Sequence, residues 1–148
     1  MNTQHLGDMT CGYLDCAQWA DKPEGSNARF TKSAIDAARH DCTEFLLACG
    51  PLADQAIDAY GASRFGHDFW LTRCGHGAGY WDRDELQIEP CTTDIIAIDR
   101  NGKHYGAMLR GNELGDVLSN IAYGNSPNIS KFAYASLDAY RGWLYFYG

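Results

Sequence analysis

The chain lacks several things that would place it quickly. No apolar run approaches the roughly 20 residues that a membrane-spanning helix needs, so a membrane protein of that kind is not expected. The first ten residues carry neither the basic nor the apolar segment of a secretory leader, which leads us to expect a cytosolic protein with reduced thiols. A basic excess is missing too. Twelve Lys and Arg stand against 19 Asp and Glu, for a net charge of -7, and this argues against direct contact with nucleic acid or an anionic membrane. The six cysteines include no C-x-x-C pair, and the histidines form no H-x-x-x-H or H-x-H. No metal and no cofactor are therefore expected. Internal repeats and low-complexity stretches are absent as well.

What is present is the composition of a folded globule. Of the 148 residues, 45% are hydrophobic and 13% aromatic, enough for one domain with a real core spanning 1–148. Residues 1–10 are polar and expected to be loose. Tyr13, Cys16 and Trp19 recur at helical spacing and suggest a short helix over 11–20. The clearest helix follows Thr31 or Ser33 as N-cap, with Ile35, Ala38, Cys42, Phe45, Leu46 and Cys49 in a 3.6-residue stripe. Gly50-Pro51 ends it, and a second helix over 52–60 stops at Gly61. On the first of these helices His40, Asp41 and Glu44 fall on the polar side. The β-branched run 93–98, the Asn101-Gly102 turn and the return over 104–109 read as a hairpin. Helices are expected over 113–123 and 129–140, and an aromatic strand over 143–147, a candidate sheet edge through which copies could pair into a homo-oligomer. The mixture implies an α+β fold: an antiparallel sheet of hairpins with helices packed on one face.

The chain is organised around residues 66–83, where Gly75, Gly77 and Gly79 fall within five positions between two aromatic stretches. The run 69–73 reads as a strand and Tyr80-Trp81 as the start of its return, with His76 at the hairpin tip. The glycine spacing fits neither the phosphate-binding loop nor the dinucleotide fingerprint. If this is an enzyme, His76 is the general base, with Asp82, Arg73 and Arg83 around an anionic substrate. Cys74 beside His76 suggests a thiol nucleophile, yet i, i+2 spacing does not secure a hydrogen bond, and a structural thiol is the simpler reading. A metal set of His67, Asp68, His76 and Asp82 ranks lower still. If this is a binding protein, Trp70, Arg73, His76, Tyr80, Trp81 and Arg83 are its contact residues, because exposed Trp beside Arg is the usual make-up of an interface hot spot.

The run from His67 to Arg83 resembles the H-D-F-W-L-T-R-N-G-H-G-A-G-F-W-D-R signature of small, uncharacterised proteins encoded by bacteriophages and prophages. Cys16-Ala17-x-Trp19, Asp41-Cys42-x-x-Phe45, Leu114-Gly115-Asp116-x-Leu118 and Leu144-Tyr145 resemble further segments of that family. Cys74 stands where the family has Asn, and 84–110 and 124–141 look inserted. The resemblance implies action in the cytoplasm of a bacterial host. It points to a small acidic interaction protein that acts on a host or defence protein, for instance as an inhibitor of a CRISPR or restriction system. The alternative is a small hydrolase or transferase built on the His76 loop.

Overall fold

Two glycines let helices meet almost backbone to backbone, and the fold is built on that contact. In the computed structural model, which describes residues 3–22, 28–92, 94–98, 104–108, 113–125 and 128–147, α1 (Thr3–Asp21) lies along α4 (Ala62–Arg73). A Cβ on Gly66 would overlap the carbonyl oxygen of Met9, and one on Gly12 would overlap that of Ser63. Helix α1 begins at Thr3 rather than near residue 11, because Leu6, Met9, Tyr13, Cys16 and Ala17 continue one buried stripe. The expected loose segment is therefore largely helical.

Helix α4 occupies the stretch expected to be a strand. It is buried on nearly every side, through Phe65, Gly66, Asp68, Phe69, Trp70, Leu71, Thr72 and Arg73. An enclosed helix has no polar face, so its sequence shows no 3.6-residue period, and a short apolar run is then indistinguishable from a strand. Tyr80-Trp81 begins no return strand either. It opens a single 3-10 turn, Tyr80–Asp82. Phe69 stacks on Phe45 of α2 (Lys32–Cys49), centroids 4.1 Å apart, and Trp70 meets Tyr13 edge-on at 5.3 Å.

The amphipathic helices fall close to where the sequence puts them. Thr31 caps α2, its Oγ1 accepting from the Ala34 N–H at 2.9 Å, and Gly50 closes it. Pro51 opens α3 (Pro51–Tyr60), and α5 (Leu114–Ala122) buries Leu114, Val117, Leu118 and Ile121. The buried side chains of these helices form a single cluster.

The fold is α+β, but its three-stranded sheet is mixed. The order is β1 (Arg29–Phe30), β7 (Trp143–Tyr147), β6 (Ser136–Tyr140), with β1 and β7 parallel and β6 and β7 antiparallel. The aromatic strand β7 is thus interior, not an edge. Arg141 (φ 50°) and Gly142 (φ 83°) form the left-handed two-residue turn that suits a tight hairpin. The helix expected over 129–140 is replaced by β5 (Asn128–Ile129), a turn and β6. Alanine-rich helix propensity yields there to the need of β7 for a hydrogen-bonded neighbour. β4 (Gly124–Asn125) pairs with β5. β2 (Asp94–Ile98) and β3 (His104–Met108) form the expected hairpin, whose Asn101-Gly102 turn lies outside the described residues.

Candidate functional site

At the end of α4 the chain folds back on itself. The amides of Gly75 and His76 donate to the Thr72 and Leu71 carbonyls at 3.2 and 3.1 Å. Gly79 (φ 145°) sits so close to Thr72 that a Cβ would overlap Oγ1, and this same hydroxyl accepts from the Tyr80 N–H at 3.2 Å. Helix α5 then packs against the 3-10 turn through Gly115, where a Cβ would overlap the Tyr80 carbonyl oxygen. Between the glycine loop and α5 lies an open cleft of about 560 Å³. His76 and Ala78 line one wall, Asp116, Ser119, Asn120 and Tyr123 the other, and Trp81 stands beside them half exposed.

His76 is oriented from below. Its Nε2 lies 2.7 Å from Asp21 Oδ2 at the end of α1, and this oxygen also accepts the indole N–H of buried Trp70. An indole N–H can only donate, so the Asp21 oxygen is an acceptor. In neutral His76 the ring proton therefore sits on Nε2, and Nδ1 keeps its lone pair. The carboxylate beside His76 is Asp21, not Asp82, which is exposed on the 3-10 turn and does not line the cleft.

The two arginines do not join His76. Arg73 is buried: Nε donates to the Phe132 carbonyl at 2.7 Å, and Nη1 donates to the Tyr13 hydroxyl at 3.0 Å and to Asp41 at 2.7 Å. Its guanidinium also lies over the Phe69 ring, 5.0 Å from the centroid. Asp41, expected among solvated residues of α2, is thus half-buried and paired. Arg83 forks onto buried Asp68, Nε to Oδ2 at 2.9 Å and Nη2 to Oδ1 at 2.7 Å, and the Tyr60 hydroxyl donates to the same carboxylate at 2.8 Å. The expected grouping of Asp82, Arg73 and Arg83 around His76 is not formed, because both arginines are engaged on partners in the core and Asp82 lies outside the cleft.

Of the expected contact residues, Trp70, Arg73 and Tyr80 are buried, and the Tyr80 hydroxyl donates to the Phe65 carbonyl at 2.7 Å. They build the corner rather than face a partner. His76, Trp81 and part of Arg83 reach the surface. Cys74 donates to the Ala135 carbonyl, and burial pushes its thiol up to about 12, the wrong direction for a nucleophile. His67 lies 3.6 Å from Asp68, but this carboxylate is held by Arg83 and Tyr60. Among the described residues no group of three or more His, Cys, Asp and Glu is placed to hold a metal.

The sequence singles out His76 and Trp81 among the residues that border the cleft, but not Ser119, Asn120 and Tyr123, nor the Asp21 that pairs with His76. Asp21 sits where composition indicates a loop, and the others lie far along the chain. The Leu114-Gly115-Asp116 motif was the available signal for α5. No protein-family model matches the chain, and no curated protein or solved structure matches it. Among the described residues no helix is long and apolar enough to cross a membrane.

Proposed function

We propose that this is a phage-encoded small acidic interaction protein that acts in the host cytoplasm on a host or defence protein. The cleft beside α5 is its contact site. One observation carries the reading: half-exposed Trp81 stands at a cleft with Asp116 in its wall, and no described Lys or Arg lines it. A desolvatable aromatic anchor next to an acid suits a basic protein surface. The net charge of -7 steers the same kind of partner. A nucleic-acid-handling assembly such as a CRISPR or restriction complex presents a surface of that kind. Affinity purification from host cells, with wild type and a Trp81→Ala/Asp116→Asn variant, tests this. Stoichiometric recovery of one partner by wild type, lost in the variant, is expected. Recovery of no stoichiometric partner contradicts the reading.

A second reading rests on the Asp21–His76 pair: a small hydrolase or transferase with His76 as general base. An anionic substrate would have to be held without Arg73 and Arg83, whose donors are engaged on Asp41, Tyr13, the Phe132 carbonyl and Asp68. A His76→Ala variant that binds the partner normally but loses the phage phenotype would favour this reading over the first.

A further inference from the structure

The chemistry of the cleft walls says more than that they are acidic. The nitrogen His76 leaves for a ligand is Nδ1, an acceptor in the neutral ring, because Nε2 is committed to Asp21. Across the cleft Asp116 offers carboxylate oxygens and Asn120 a side-chain carbonyl. Two aromatic faces complete the lining, Trp81 and Tyr123. Tyr123 is braced from behind: its hydroxyl donates to that of Tyr134 at 3.1 Å, and the two rings meet edge to face with centroids 5.3 Å apart. Tyr134 holds a left-handed backbone (φ 70°) that a bulky residue rarely adopts. The conformation is fixed by its N–H donating to the Arg73 carbonyl at 2.8 Å. The end of α4 and the aromatic wall of the cleft are therefore joined through one backbone hydrogen bond.

We propose that the cleft is a pocket for a single arginine side chain of the partner protein, its guanidinium facing Asp116 and His76 and its plane against the aromatic lining. This deepens the interaction reading and rests on it. A guanidinium is planar, carries five donors and no acceptor, and stacks on aromatic rings. It can therefore meet a carboxylate and an imidazole nitrogen at once. An ammonium is a compact, strongly hydrated point charge with no planar fork to lay against an aromatic ring. Among the described lining residues there is no Lys or Arg to hold an anion. A volume of about 560 Å³ is ample for one long side chain and lies within the range of small-ligand sites.

The test is an amide and indole NMR titration of the intact protein with Nα-acetyl-arginine methylamide. The matching lysine compound and inorganic phosphate serve as comparisons. Saturable shifts confined to the Trp81 indole, residues 75–78 and α5 are expected. Arginine should bind about tenfold more tightly than lysine, and Asp116→Asn should weaken arginine binding about tenfold. Asp116 is exposed, so its substitution leaves the fold intact. Shifts that do not saturate, equal binding of the lysine compound, or saturable binding of phosphate in the cleft would each overturn the proposal. Failure here with a partner still captured through Trp81 leaves the interaction reading standing and removes only the arginine pocket. Arginine binding without any partner does the reverse.

Discussion

Asp21 shows how much of the site depends on a single oxygen. It accepts from Trp70 and lies at hydrogen-bond distance from His76, so it ties the glycine loop to the core. We predict that ring-nitrogen NMR of neutral His76 finds the proton on Nε2, and that Asp21→Asn disturbs this preference; a proton on Nδ1 in wild type would contradict the assignment. Arg73 is the counterpart inside. Its removal strands the Tyr13 hydroxyl, the Phe132 carbonyl and Asp41 together. Arg73→Ala should therefore cost about 3 kcal/mol or more in denaturant unfolding. A loss below about 1 kcal/mol would mean that the buried set is not what holds the corner. Both residues were legible as types and illegible as roles. A sequence displays an arginine but not the carboxylate that tertiary structure brings to it, and Asp41 lies 32 positions away.

Among the elements, α4 looks like a strand in the sequence, whereas the ends of α2, α3 and α5 are legible to within a few residues. The difference is physical. Helices with one wet face display their period, whereas α4 is enclosed by α1, α2, α3 and α5 and displays none. In 129–140 the reverse holds: local propensity favours a helix, and cross-strand pairing of β6 with β7 overrules it. The glycines of α1 and α4 give a paired test. Gly66→Ala forces a Cβ into the Met9 carbonyl and should destabilise by about 3 kcal/mol. Gly7→Ala, in the same bundle but with open space around it, should stabilise by about 0.5–1 kcal/mol through helix propensity. Urea unfolding of both variants checks the claim, and equal effects would show that the α1–α4 approach is not tight.

For the whole molecule, the resemblance to a phage signature covers residues that are mostly structural. Asp68, Trp70, Arg73, Tyr80 and Arg83 hold the corner, and within the signature His76 and Trp81 carry the cleft. The packed thiols bear on stability as a whole. Burial pushes Cys16, Cys42 and Cys74 each up to about 12 from an ordinary value near 9. Their neutral forms are favoured by folding, so this stability is complete below about pH 9 and is lost as pH rises toward 12. Thermal melts should accordingly show a steady fall in Tm above about pH 9, and Cys42→Ser should not serve as a neutral control, because it places a hydroxyl in the core. An unchanged Tm up to pH 11 would contradict it.

The most direct measurement is a calorimetric titration of the purified partner into wild type and into the Trp81→Ala/Asp116→Asn variant, with melting curves as the control. Asp116 is exposed and Trp81 half exposed, so affinity should weaken at least about tenfold while the variant still unfolds in one cooperative transition. Equal affinity in the two proteins would contradict the placement of the contact in this cleft.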